Sequence, residues 1–180
     1  LVVNRVAHLR AARWKTVPAG PGVYWWYFPE ESIEKFRVGE FCRVASLVLR
    51  RSPTGKICLY HGMARSLSQR VAWHAEQALR ISALKSGFLS TFRFTLLALT
   101  DFDYSAGAGA IDAFMDELDI EWETFPTPEE ATAAERRELH GGTHFPLNIQ
   151  NNYKPELAVY TRHLKASRKA YKARYLASEP

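Results

Sequence analysis

The chain has 180 residues, 47% hydrophobic and 24% charged, with a formal net charge of +5. That is the size and apolar content of one domain with its own core, spanning 1–180, and it excludes a disordered polyelectrolyte. The two cysteines, Cys42 and Cys58, exclude a disulfide framework, and no apolar run approaches the ~18 residues of a membrane helix, so a reducing, cytoplasmic setting is expected.

Pro18, Gly20, Pro21 and Gly22 punctuate the end of the N-terminal segment, and residues 23–28 form an aromatic, β-favouring run that stops at Pro29. A second strand is predicted over 56–60, after the turn Ser52-Pro53-Thr54-Gly55 and ending at Gly62. The stretch between them, 30–51, reads as an insertion, with a β-like piece at 42–49. Leu67, Val71, Ala75 and Leu79 then recur at helical spacing, which predicts a helix over 66–81 capped by Ser66 or Ser68.

The run 88–99 fits two readings: Phe92, Phe94 and Leu96 alternate as in a strand, and the whole run also suits a buried helix. A strand followed by more helix is the expectation adopted. A short acidic helix is predicted at 110–118 and a strand at 120–125. Thr127-Pro128-Glu129-Glu130 has the form of a capping box that opens a helix through Leu139. Gly141 and Gly142 end it, a polar loop follows, and a last helix over 155–175 places Leu157, Tyr160, Leu164, Tyr171 and Tyr175 on its apolar side.

Charge is unevenly spread. Arg5, Arg10, Arg13 and Lys15 make one end basic, and Lys165, Arg168, Lys169, Lys172 and Arg174 the other. Between Arg93 and Arg136 there is no lysine or arginine, while carboxylates accumulate over 101–130. Such segregation predicts one face that attracts phosphates and another that repels them.

Two short tyrosine motifs lie on the predicted strands: Gly22-Val23-Tyr24 and Tyr60-His61-Gly62. Isolated strand tyrosines are more often core residues than reactive ones, but Arg70 and His74 follow at a four-residue helical spacing that projects them from one face. Glu135 lies on the capped helix, with Glu138 as its rival; Leu139 one turn on from Glu135 favours the former. Asn148 lies in the loop after Pro146, where it serves equally well as a turn residue. His140 and His144 flank two glycines but lack the further ligands of a zinc site.

The order, types and spacings of these residues resemble the GIY-YIG nuclease family. Gly22, Val23 and Tyr24 match the first motif, and Tyr60 and Gly62 match the second, with His61 where an aliphatic residue is usual. The segment YHGMARSLSQRVAWH is similar to the family's strand, turn and helix without a shift of spacing. AAERREL places Glu135 at the metal-binding glutamate, and FPLNIQNN places Asn148 in the terminal Pro-x-Asn element. The long Tyr24 to Tyr60 separation and the acidic segment depart from a minimal member.

The resemblance implies an α/β fold, a small central, mostly antiparallel sheet flanked by helices, with an insertion between the tyrosine strands and a core over about 18–152. It implies a divalent-metal-dependent endonuclease acting on double-stranded DNA, with Tyr24, Tyr60, Arg70, His74, Glu135 and Asn148 as site residues. Glu135 as a hard oxygen ligand suits one Mg²⁺ or Mn²⁺, and Arg70 suits the scissile phosphate. Tyr24 is the first choice of general base and His74 the competing one. Lys165, Arg168, Lys169 and Lys172 are candidates for touching a duplex backbone. Two rival readings are a catalytically silent nucleic-acid-binding module, whose mark is a lost essential side chain, and a structure-selective nuclease for branched DNA or RNA.

Overall fold

In the computed structural model, residues 2–177 are described. Four antiparallel strands form one sheet in the order β1-β4-β2-β3. The strands are β1 (Asn4–Arg5), β2 (Gly22–Phe28), β3 (Ile57–Ala64) and β4 (Asp119–Thr124). β2 is central and buried along its whole length, as its run of β-branched and aromatic residues requires. Alternate residues serve two cores. Tyr24, Trp26 and Phe28 face the large one, and Val23, Trp25 and Tyr27 face a smaller one closed by Leu139 and Phe145.

Helices α1 (Val6–Ala11), α4 (Leu67–Glu76), α6 (Thr91–Thr100), α7 (Gly109–Asp116) and α9 (Ala158–Ala177) contribute to the large core, and α8 (Pro128–His140) lies against β2 and β3 over the smaller one. Two caps expected from the sequence have the expected form, Ser66 accepting from Gln69 N–H and Thr127 from Glu130 N–H, and a third, Ser90 accepting from Arg93 N–H, opens a helix the sequence reading did not predict.

Several expectations are corrected. Residues 42–49 are not a strand: the insertion folds as α2 (Ser32–Lys35), α3 (Val38–Phe41) and a single 3₁₀ turn (Val44–Ser46). Only beyond that turn does the chain run along β3, where Cys58 N–H donates to Arg50 O at 2.8 Å. The run 88–99 contains no strand. It is α6, preceded by the short α5 (Ile81–Ser86), so the predicted helix over 66–81 stops at Glu76.

α6 misled because it is buried on nearly every side: Phe92, Arg93, Phe94, Thr95, Leu96 and Leu97 are all interior, which erases the helical period. Its buried Arg93 bonds Asp112 on α7 and Ala75 O in the last turn of α4, tying three helices together.

The predicted separation of charge into faces is also corrected, because the basic and acidic tracts fold against each other. Arg5 pairs with Glu117, Arg10 with Asp116, Lys56 with Asp119 and Arg174 with Asp101. Ion pairs that meet across the fold neutralise much of the acidic segment, so sequence clustering overstated the repulsive face.

Candidate active site

The site grows from the pairing of β2 with β3. Tyr24 stands opposite Gly62, and a bulge lets Trp26 oppose Tyr60 while Tyr27 opposes Cys58. The extra residue, Leu59, joins Tyr60 on the face of the large core, so Tyr24 and Tyr60 share one side of the sheet with rings 6.4 Å apart. Gly62 is required by close approach: a Cβ there would lie 2.6 Å from the Tyr24 hydroxyl oxygen. Gly22 is equally confined, since a Cβ would lie 2.4 Å from Glu123 O.

α4 enters beside these tyrosines and brings His74 inward and Arg70 to the surface, one turn apart. Tyr24 Oη lies 2.9 Å from His74 Nε2, and His74 Nδ1 lies 2.6 Å from Ser90 Oγ. The Tyr60 ring stacks on Phe92 at 4.3 Å. The Arg70 guanidinium sits 4.9 Å from the Trp73 ring centre.

The outer edge of β3 carries the other side of the site. Asn148 uses its whole amide there: Oδ1 accepts from His61 N–H at 3.0 Å and Nδ2 donates to His61 O at 2.8 Å, as a neighbouring strand would. One step along, Glu135 Oε1 accepts from Met63 N–H at 3.1 Å. Side chains thus satisfy an edge that would otherwise present bare backbone groups. Glu138, the rival carboxylate, instead accepts from Trp25 Nε1 at 3.1 Å.

Tyr60, Arg70, His74, Glu135 and Asn148 line one small cleft with Trp73 and Thr91. Tyr24 does not line it. At 2% exposure it stands behind Tyr60. Burial sets the protonation of the group as a whole. It lowers the His74 pKa to about 3, with Arg70 adding to the effect, and raises Tyr60 to about 12, with Glu135 adding and Arg70 opposing. Tyr24 is raised well above the ordinary phenol value, first by burial and then by Tyr60. Desolvation raises the Glu135 carboxyl as well, against the pull of the Met63 N–H, Arg136 and Arg70.

Hydrogen accounting orients this network. Ser90 is fully buried, and its oxygen already accepts Arg93 N–H at 3.1 Å. Its hydroxyl hydrogen therefore needs an acceptor, which among the described residues is His74 Nδ1. This assigns the Nε2–H tautomer to His74, so the imidazole donates to Tyr24. The chain of donors runs from Ser90 towards the cleft. Ser90 escaped the sequence reading because its only local signal is that of a helix cap.

The four basic residues proposed on α9 divide. Lys165 and Lys169 are exposed, and Lys172 Nζ donates to Lys85 O at 3.1 Å. Arg168 turns inward on the side of Leu164 and Tyr171, 4.8 Å from the Phe94 ring centre, where it helps hold the Tyr60 pKa down. His140 stacks on Tyr153, whereas His144 Nδ1 accepts from Val48 N–H at 3.1 Å, so these two histidines serve separate structural contacts.

A model of the GIY-YIG catalytic domain matches residues 22–170, from the first tyrosine motif into α9. No curated protein and no solved structure shows significant similarity to the chain.

Proposed function

The chain belongs to the GIY-YIG family, a family of nucleases, and from that membership and the cleft's geometry we propose that it is a divalent-metal-dependent endonuclease that hydrolyses double-stranded DNA. The observation that carries this reading is the convergence of Tyr60, Arg70, His74 and Glu135 on one cleft, from one strand and two helices.

The donor set suits one hard cation. Glu135 is half-buried, only its Oε1 is engaged among the described residues, and no group of three His, Cys, Asp or Glu side chains gathers there. A Mg²⁺ or Mn²⁺ on Glu135, with water filling most of its shell, would supply Lewis-acid polarisation of the phosphate and a more acidic water.

The protein's own groups divide the remaining work. Arg70, exposed at the rim of the cleft and permanently charged, holds the phosphate and the charge that grows on its oxygens. Donors directed outwards from Ser90 through His74 stabilise negative charge on a phenolate and offer nothing to a protonated imidazole. This favours the tyrosine pair over His74 as the base: Tyr60, which lines the cleft, would take the water's proton as a phenolate favoured by Arg70 and the bound cation, while Tyr24, a buried phenol behind it, holds the pair in place through its bond to His74. Asn148, with both amide groups committed to His61, fixes the loop and leaves the chemistry to others.

The test is nicking of supercoiled plasmid by wild type and Glu135→Gln with Mg²⁺, Mn²⁺ or EDTA. Metal-dependent nicking that the substitution abolishes is the expected result; equal nicking by both proteins overturns the assignment.

A further inference from the structure

Beside the cleft, and sharing Arg70 and Trp73 with it, runs a second groove lined also by Met63, Arg65, Gln69 and Phe88. Three properties set it apart from ordinary surface. It is rich in flat and soft apolar side chains, its charged groups are two arginines with no carboxylate among its lining residues, and its outer wall is Phe88, which is 71% exposed. A phenylalanine so exposed has no role in the core, and its ring stands 6.2 Å from that of Trp73, tilted by 53°.

Phe88 is also held in place. Gln77 grips its loop from both sides, its amide nitrogen donating to Phe88 O at 2.5 Å and its amide oxygen accepting from Ser90 N–H at 2.6 Å. Phe88 N–H donates to Ala83 O at 3.0 Å. The ring is therefore presented on a pinned backbone, next to the very serine that orients His74.

Aromatic faces flanked by arginines and free of carboxylates are complementary to a nucleobase on its own phosphodiester backbone. In paired duplex the base faces are covered by their neighbours, so only an unpaired nucleotide offers a face to such a groove. We propose that the Trp73–Phe88 groove is a stacking site for an unpaired nucleotide adjoining the scissile phosphate, and that the preferred substrate is duplex DNA that carries a single-stranded flap. The inference rests on the nuclease reading for the position of the phosphate and adds to it the class of substrate.

Binding separates the two. Wild-type protein in EDTA is titrated with a fully paired duplex and with the same duplex extended by a flap that carries 2-aminopurine at the junction. The expected result is tighter binding of the flap by about 5-fold or more, with the fluorescence quenched by stacking. Phe88→Ala should abolish both the preference and the quenching and leave duplex affinity within about two-fold, while Phe88→Trp should retain them. Equal affinity for both probes, or a flap preference untouched by Phe88→Ala, overturns the proposal. So does a wild-type dimer that Phe88→Ala converts to monomer in sedimentation, which would make the groove a contact between copies. Plasmid nicking without flap preference would sink this inference alone, and flap preference without metal-dependent cutting of either DNA would sink the nuclease reading alone.

Discussion

Gly62→Ala tests how the tyrosine pair is built. A Cβ at this position would lie 2.6 Å from Tyr24 Oη and 2.8 Å from Cζ, where ordinary contact begins at 3.4 Å. The ring must therefore retreat by roughly 0.8 Å, a shift for which a core near crystal density has no spare room. Tyr24 is 2% exposed and tied to His74 Nε2 at 2.9 Å, so the retreat strains packing and stretches that bond together. Overpacking of this kind costs about 1–3 kcal/mol and a lost hydrogen bond about 1 kcal/mol more. The sum, about 2–4 kcal/mol, leaves a protein of ordinary stability folded.

Urea unfolding should show a lower midpoint with an unchanged slope, and nicking should fall about 100-fold from misplacement of the tyrosine pair. Gly20→Ala is the control, since a Cβ there meets nothing within 4 Å; it should be neutral or stabilise by up to ~1 kcal/mol. If Gly62→Ala matched wild type in both midpoint and nicking, the role assigned to the glycine would be wrong.

Other perturbations probe the charges. Because burial raises the Glu135 carboxyl, the folded state favours its protonated form; that contribution is full below the unfolded pKa and lost as pH rises through the folded one. At neutral pH Glu135→Gln should therefore raise the melting temperature of the metal-free protein, and Mg²⁺ should raise only that of wild type, as thermal scans with and without EDTA would show. His61 and His74 are buried with their pKa values lowered to about 4 and about 3, so the unfolded chain takes up their protons first, near pH ~6.5. Stability should be complete above that pH and fall below it, with a slope approaching about 2.7 kcal/mol per pH unit by pH ~5, halved in His74→Gln; a flat midpoint across this window would contradict their neutral burial. Lys165→Ser with Lys169→Ser should flatten the salt dependence of duplex binding by about 1.8 in log–log slope. Arg5→Ser should leave that slope unchanged, since Arg5 is paired with Glu117.

The parts of this protein legible in its sequence are those whose physics is local. The two tyrosine strands announce themselves by β-branched and aromatic runs, α8 by its Thr127 cap and Pro128, and the Arg70–His74 pair by its four-residue spacing. What sequence reading lost was decided by distant neighbours. α6 shows no helical stripe because it has no solvent face, and the carboxylates around Asp116 look repulsive until Arg5 and Arg10 arrive from a hundred residues away. Ser90 combines both situations. Its hydroxyl oxygen performs the local duty of an N-cap, while its hydroxyl hydrogen, with nowhere else to go, fixes the tautomer of a histidine sixteen residues earlier. Which hydrogen-bonding group His74 turns to Tyr24 thus depends on a satisfied helix end. Ser90→Ala should therefore do more than weaken a cap by about 1 kcal/mol. It would free His74 to adopt either tautomer, and the pH profile of nicking should shift, with ¹⁵N chemical shifts of the imidazole reporting the change; an unaltered profile and unaltered shifts would return Ser90 to the role of a cap alone.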